Sequence, residues 1–202
     1  MKITGEEFTN LIEKDPSWCL TIKKPLEITT YVNLEYSKIT HLSELLNFTG
    51  KNTYGDSADF SNCKNLKTAT GNFKHGVMLQ GSGIEKVEKL NVGIDDNGNS
   101  AGFTECKNLK TASGNFKSYV NFDNSGVTTI KKLHVEKSGT APLNEKASFK
   151  NCPIKYVPKL YRGDEFLFNQ QIVETSIEKD LREKTIKETI NKIKSEANNI
   201  EL

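Results

Sequence analysis

The sequence predicts a β-rich solenoid with a parallel sheet, a short N-terminal capping helix and a C-terminal helix. The first observation is a repeat: residues 62–92 return almost unchanged as residues 105–135, and a fixed period of this size is typical of stacked repeats. The second is composition. Apolar residues make up 35% of the 202 residues and charged residues 27%, which favours an elongated stack with a thin core over a compact globule.

The N-terminal segment, residues 1–30, is expected to contain a helical cap and a first strand. Thr4 and Glu7 form a capping box, in which each side chain satisfies a backbone N–H of the other residue. The apolar spacing that follows predicts a helix over residues 5–13, which closes the open end of the stack. Alternating apolar residues over 18–22 then predict the first strand.

Residues 31–168 are predicted to form the solenoid, with about six coils. Two apolar frames alternate along them, V-x-L-x-x-S-x-I-x-x-L and the longer A-x-F-x-x-C-x-x-L-x-x-A. The frames begin, in chain order, at Val32, Ala58, Val77, Ala101, Val120 and Ala147. The repeated unit is therefore a pair of unlike coils, one with a serine and one with a cysteine at the same corner.

Both frames resemble the core segments of leucine-rich repeats, L-x-L-x-x-N-x-L and L-x-L-x-x-C-x-x-L, over residues 31–160. The resemblance implies a curved stack with a parallel sheet on one face, a shape generally used to bind other molecules. The chain departs from the family pattern at Ser37, Ser82 and Ser125, where asparagine is usual. Phenylalanine, valine or alanine also stands at several leucine positions.

Coil length predicts three loops on one edge of the stack. Every second coil is longer than the one before it, which places extra residues at 47–57, 93–100 and 136–146. Because equivalent points of a solenoid stack on one another, these loops are expected to lie side by side. Insertions confined to one edge are where repeat proteins often bind.

The residues between the apolar positions of each frame are expected to face outward, as alternate residues of a strand do. The central outward column is Asn33, Asp59, Met78, Gly102, Asn121 and Ser148. This face is polar, rich in asparagine and mildly acidic. It can hydrogen-bond an extended polar partner, or it can be an ordinary solvated sheet face.

We expect a non-catalytic protein-binding module, of inhibitor, effector or adaptor type, that recognises a partner protein through this face and the loops. A solenoid holds contact side chains on a stiff backbone, which lowers the entropic cost of binding. The predicted contact residues are Tyr36, Tyr54, Met78, Asn121, Asp123 and Asn124.

Residues 169–202 are predicted to form an amphipathic helix that begins at a second capping box near Thr175. Within it, Ile186, Ile190 and Ile193 recur at the spacing of a short coiled-coil seam. That seam either packs on the stack or meets a second helix. Self-association as a structural scaffold is therefore the alternative function.

Lysines that follow the turns predict a basic flank, which gives a weaker alternative, the binding of a polyanion or glycan. The flank has no arginine and no interleaved aromatic residue, and Glu85 and Glu88 interrupt it. Base recognition favours arginine and stacking rings, so the pattern argues against nucleic acid. The flank consists of Lys64, Lys67, Lys86, Lys89, Lys107, Lys110, Lys131, Lys132, Lys155 and Lys159.

Three cysteines, Cys63, Cys106 and Cys152, occupy the same inward corner of alternate coils, with Ser82 and Ser125 between them. Neighbouring coils lie about 4.8 Å apart, so successive cysteines are too far apart for a disulfide. We interpret them as buried small residues whose sulfur or hydroxyl groups bond backbone groups at the turn.

Residues 95–99, Asp-Asp-Asn-Gly-Asn, have the composition of a calcium loop. The bidentate glutamate that such a loop needs is missing, because Cys106 stands at that position. An ordinary Asn-Gly turn is the favoured interpretation, and calcium binding by the loop at 93–100 is left open.

The sequence contains no Ser-His-Asp arrangement, no His-x-x-x-His pair and no phosphate-cradling glycine motif. Gly71 and Gly114 are interpreted as parts of a recurring turn. We therefore expect no enzyme, and no cofactor or metal site.

The chain has no apolar stretch of membrane-spanning length and no signal-peptide core at its N-terminus. The expectation is a soluble cytoplasmic protein, with non-classical export or delivery into a host cell left open.

Overall fold

A computed structural model describes residues 1–136 and 147–154, and the backbone of the strands at 160–162 and 165–166. In this part of the chain the backbone winds as a parallel β-solenoid of about six coils with one α-helix. The predicted β-rich solenoid is confirmed. The helix predicted within 169–202 lies outside the described residues.

The chain begins with strand β1 (Lys2–Ile3) and helix α1 (Gly5–Lys14). The predicted capping box is present. Thr4 Oγ1 accepts from the N–H of Glu7 at 3.1 Å, and Glu7 Oε2 accepts from the N–H of Thr4 at 2.7 Å. The helix buries Phe8 completely, as expected of a cap that covers the first coil.

The first strand predicted over 18–22 is wrong, because Trp18–Thr21 form a 3-10 helix. Cys19 is buried there while Leu20 is 57% exposed, so the apolar alternation does not mark one buried face. The strand that follows α1 is instead β2 (Leu26–Ile28), which pairs in parallel with β1.

The remaining strands, in chain order, are β3 (Val32–Asn33), β4 (Leu46–Phe48), β5 (Asp56–Asp59), β6 (Thr68–Phe73), β7 (Gly76–Met78), β8 (Lys86–Val92), β9 (Asn99–Gly102), β10 (Thr111–Phe116), β11 (Tyr119–Asn121), β12 (Thr129–Val135), β13 (Ala147–Ser148), β14 (Leu160–Arg162) and β15 (Glu165–Phe166). They form two sheets. The smaller sheet has six strands in the order β3-β5-β7-β9-β11-β13, and the larger sheet has nine in the order β1-β2-β4-β6-β8-β10-β12-β14-β15. Neighbouring strands are parallel, except that β14 and β15 are antiparallel.

The smaller sheet is the sheet that the apolar frames predict. Each of its strands carries the beginning of one frame, with the apolar residue facing the core. The strand register aligns the predicted outward column residue for residue, as Asn33, Asp59, Met78, Gly102, Asn121 and Ser148.

The larger sheet was not predicted, and the single sheet implied by the leucine-rich-repeat resemblance does not hold for this chain. Gly71 and Gly114, interpreted above as turn residues, lie inside β6 and β10. The register shifts beside them, because β8 and β12 carry one more residue than the strands they pair with. These bulges break the two-residue alternation by which a strand is recognised in a sequence.

Phenylalanine rings fill much of the space between the two sheets. The rings of Phe48 and Phe73 stack with 4.4 Å between centroids, and those of Phe103 and Phe122 with 4.9 Å. All four residues are buried. Each stacked pair joins two coils, so the core ties the solenoid together along its axis.

The inward corner of the coils is built as predicted. Sγ of Cys63 donates to the carbonyl of Leu34 at 3.0 Å, and Sγ of Cys106 donates to the carbonyl of Leu79 at 3.1 Å. Ser82 donates to the same carbonyl of Leu79 at 2.6 Å. The cysteines are free thiols, and their interpretation as small residues that bond the backbone is confirmed.

Candidate functional site

Two loops border the outer face of the smaller sheet, and they share one local structure. The first loop, residues 49–55, is organised by Asn52, whose Oδ1 accepts the N–H groups of Tyr54 and Asp56, both at 2.9 Å. Asn52 Nδ2 donates in turn to Asp56 Oδ2 at 3.5 Å. Gly55 completes the turn with a φ of +89°, a conformation open to glycine because it has no Cβ.

The second loop, residues 93–98, repeats this arrangement. Asp95 Oδ1 accepts the N–H groups of Asn97 at 2.9 Å and Asn99 at 2.7 Å, and Asp95 Oδ2 accepts from Asn99 Nδ2 at 3.1 Å. The residues form a turn that both carboxylate oxygens of Asp95 hold, and calcium binding by this loop stays an open question. In the part of the chain that the structure describes, no group of three or more His, Cys, Asp or Glu side chains could hold a metal ion.

The two loops lie against each other, as predicted for stacked coils. The N–H of Asp96 donates to the carbonyl of Tyr54 at 3.0 Å, and Lys51 Nζ lies 2.9 Å from Asp96 Oδ1. A methyl group at Gly55 would lie 2.2 Å from the backbone nitrogen of Asp96, so the close approach requires this glycine. The third predicted loop, 136–146, lies outside the described residues apart from its first residue.

Beside these loops, a groove of about 830 Å³ runs over the outer face of the smaller sheet. Its middle is Gly102, where the central outward column has no side chain between Met78 and Asn121. A methyl group at Gly102 would meet a single atom within 4 Å, Gln80 Oε1, at 3.4 Å. The floor of the groove is therefore open.

The groove follows β9, so it has two chemically different ends. The loop end is lined by Tyr54, Asp56, Asp95 and Tyr119. The turn end is lined by Gly81 and Glu105. Tyr54 is 68% exposed, one of the few large apolar or aromatic side chains exposed on the described surface.

The loop end is acidic. Asp56 is only 6% exposed, and its burial, together with the nearby charge of Asp95, raises the pKa of Asp56 above its ordinary value. A methyl group at Gly76 would lie 2.7 Å from Asp56 Oδ1 and 2.8 Å from Asp95 Cβ, so the two aspartates approach each other across a glycine. At the turn end, Glu105 pairs with Lys107 at 2.7 Å. The turn-end charge is therefore compensated by a lysine.

Three of the six predicted contact residues line the groove: Tyr54, Met78 and Asn121. Tyr36 does not. It lies in the turn of the first coil, 72% exposed and with a φ of +60°. The structure therefore brings half of the predicted set together at one place.

The last two predicted residues, Asp123 and Asn124, connect neighbouring coils. Asp123 Oδ1 accepts from Ser148 Oγ at 2.5 Å and from the N–H of Lys150 at 2.7 Å. Asn124 Oδ1 accepts from Asn151 Nδ2 at 2.8 Å. Replacing either residue would loosen the stack, so a loss of binding in such a variant would not identify a contact.

Groove residues that were not among the predicted contacts include Asp56, Asp95, Gly102 and Tyr119. A signal for one of them was present: Asp56 lies in the pattern Gly-[Asp/Asn]-Ser-Ala, which begins at Gly55 and again at Gly98, one repeat apart. It marks the point where each loop enters its strand. Gly102 was placed in the outward column by the sequence, but the volume that its missing side chain leaves open depends on the side chains around it in the structure.

The outer face of the larger sheet carries a ladder of asparagines from four successive coils, Asn47, Asn72, Asn91 and Asn115. Each of the last three donates through Nδ2 to Oδ1 of the asparagine one coil before it, at 3.0, 2.8 and 2.6 Å. A second groove, of about 600 Å³, lies along this ladder. The ladder amides bond one another, so we interpret them as part of the stack.

The predicted basic flank is partly neutralised. Lys67 pairs with Glu85 at 2.8 Å, and Lys86 pairs with Glu88 at 2.7 Å. The last two lysines of the flank lie outside the described residues. The ion pairs weaken the electrostatic case for a polyanion on this side of the molecule.

The residues predicted for self-association, Ile186, Ile190 and Ile193, lie outside the described residues. That alternative stays a prediction.

Within the described residues, no helix combines the length and the apolar character that a bilayer crossing needs.

The chain matches no protein-family model, no curated protein and no solved structure. The leucine-rich-repeat resemblance therefore stays a prediction, and the functional interpretation rests on the geometry of the chain itself.

Proposed function

We propose that this protein is a non-catalytic binding module that holds an extended segment of another protein in the groove of the smaller sheet. The observation that carries the proposal is the missing side chain at Gly102, between Met78 and Asn121. A strand-like segment can lie along β9 there, because the whole of that strand, Asn99–Gly102, lines the groove.

The rigidity of the groove supports this function. Asn52 and Asp95 each hold their loop with two backbone hydrogen bonds, and the loops contact each other directly. Side chains that are ordered before a partner arrives lose less entropy on binding. An exposed tyrosine such as Tyr54 adds a large contact area at a low entropic cost.

The proposed role is that of an inhibitor, effector or adaptor, since each of these acts by holding another protein. The proposal includes a cytoplasmic setting. It is supported by the four free cysteines, which fit a reducing compartment.

The variant Gly102→Trp tests the proposal, because it fills the middle of the groove. The φ of Gly102 lies outside the left-handed region and its Cβ position is open, so the variant is expected to fold normally. The measurement is affinity capture from the native host, followed by identification of what binds. The wild-type protein should capture a partner that Gly102→Trp does not.

Lys131→Trp is the matched control, because it adds the same side chain at an exposed position on the outer face of the larger sheet. It should capture the partner as the wild type does. Circular dichroism and thermal unfolding establish that both variants are folded. Capture of the same partner by Gly102→Trp at wild-type strength would contradict the proposal.

A further inference from the structure

We infer that the segment bound in this groove carries a lysine or arginine, whose side chain binds at the loop end. The inference rests on the proposed function and specifies the chemistry of the partner. It follows from the charge of the lining, from the burial of that charge and from the side chains beside it.

The lining has one sign of charge. Three carboxylates line the groove, Asp56, Asp95 and Glu105, and none of the described lining residues is a lysine, arginine or histidine. Glu105 is paired with Lys107. Asp56 and Asp95 accept hydrogen bonds from neutral amides instead. The uncompensated negative charge is therefore at the loop end.

Burial makes a cation at this end favourable. Asp56 is almost completely buried and faces the half-buried Asp95 across Gly76, so two carboxylates lie close together and one of them has little contact with water. Both burial and the neighbouring charge disfavour ionised Asp56. A positive side chain placed beside the pair offsets both effects. A neutral segment would cover the carboxylates without compensating them, and an acidic segment would be repelled.

Two tyrosines at the loop end also favour a lysine or arginine side chain of the partner. Tyr54 and Tyr119 line the loop end beside the two aspartates. The face of a tyrosine ring attracts a cation, and its apolar surface covers the aliphatic stem of lysine or arginine. Met78 adds further apolar contact in the middle of the groove.

The length of the groove sets the length of the segment. Its straight part is β9, Asn99–Gly102, where an extended chain rises about 3.3 Å per residue, and the turn at Thr104 and Glu105 closes the other end. A partner segment of about four to six residues therefore spans the groove, with its basic residue near one end.

The experiment uses a displayed library of random peptides of about nine residues, long enough to span the groove, selected on the full chain. The strongest binder that does not bind Gly102→Trp is then synthesised with a fluorescent label. Its dissociation constant is measured by anisotropy at low salt. We expect the selected peptides to be enriched in lysine or arginine.

Two substitutions locate the contact. Exchanging the basic residue of the peptide for glutamine should weaken binding about tenfold, as should the double variant Asp56→Asn, Asp95→Asn. The control Glu6→Gln, Glu13→Gln changes the net charge by the same amount on the exposed side of α1 and should leave binding unchanged. The peptide exchange leaves the protein unaltered, so its result holds even where the double variant is poorly folded.

The outcomes separate the two proposals. Peptides that depend on Gly102 but have no basic residue, or that bind equally well after the glutamine exchange, would overturn this inference and leave the proposed function standing. A library with no Gly102-dependent binder would count against both.

Discussion

On the larger sheet, the asparagines of the outer column donate to one another from coil to coil. On the smaller sheet, the outer column changes from Met78 to Gly102 to Asn121 over three coils, and a groove opens where the side chain is missing. The outer face of the larger sheet thus repeats the same residue from coil to coil, whereas the residues on the outer face of the smaller sheet differ between coils. In a repeat protein, the positions that depart from the repeat are the first to test for binding.

The largest expected effect compares two glycines of the smaller sheet. At Gly76 an added methyl group would meet neighbouring side chains, and at Gly102 it would have free space. Gly76→Ala should cost about 2 kcal/mol of unfolding free energy, because its methyl group would press on the side chains of Asp56 and Asp95. Gly102→Ala should change it by less than about 0.5 kcal/mol. Urea unfolding measures both. Equal losses would show that the groove floor is as closed as the loop end.

The second prediction tests whether the asparagine ladder stabilises the stack. Asn91→Ala removes two hydrogen bonds, to Asn72 and from Asn115, and should lower the unfolding free energy by about 1 kcal/mol. Asn47→Ala removes only one bond of the ladder and should cost about half as much. If Asn91→Ala were as stable as the wild type, the regular face would have no role in stability.

The third prediction concerns the first turn beside the smaller sheet. Tyr36 has a φ of +60°, a conformation that a bulky side chain rarely adopts. At the same position the later coils have Asn62, Gly81, Glu105, Asn124 and Asn151. Tyr36→Asn should raise the unfolding free energy by about 0.5 kcal/mol, because asparagine tolerates this conformation and Tyr36 is largely exposed. A lower thermal midpoint for the variant would show that the Tyr36 side chain makes a contact that matters.

The smallest expected effect depends on pH. The folded-state pKa of Asp56 is raised above 3.8, chiefly by burial, so between these two values the folded protein binds more protons than the unfolded chain. The unfolding free energy contributed by Asp56 therefore falls as pH rises through this window. The substitution Asp56→Asn removes this pH-dependent fall in unfolding free energy. The variant should be more stable than the wild type at pH 7, by less than Tyr36→Asn gains, and the difference should shrink as pH falls through the window. Thermal unfolding across this range measures it, and a constant difference at all pH values would contradict the assignment.

The smaller sheet could be predicted from the sequence because two buried frame residues flank one outward residue, as Val77 and Leu79 flank Met78. The larger sheet could not. In β8 the buried residues Val87 and Leu90 are three apart, since a bulge adds one residue between them. A pattern search with a period of two does not recognise such a strand.

Part of the candidate site was predictable because the apolar frame and the coil lengths place its side chains. Tyr54, Met78 and Asn121 are side chains of the outer column or of a loop, and both follow from coil length and frame. The pairing of Asp56 with Asp95 could not be derived, because it depends on how two loops, far apart in sequence, fold onto each other. Local sequence patterns do not predict contacts between loops that are far apart in the chain.

Cys63, Cys106 and Cys152 lie at the same corner of alternate coils. Their thiols can therefore report how fast each of these coils opens. A thiol reacts as its thiolate, and burial raises the pKa values of Cys63 and Cys106, which are completely buried. Each should be alkylated only during moments when its own coil is open. Cys152, on a later coil, is less buried and should react sooner. The alkylation rates of the three would therefore measure how opening events spread along the solenoid, one coil at a time.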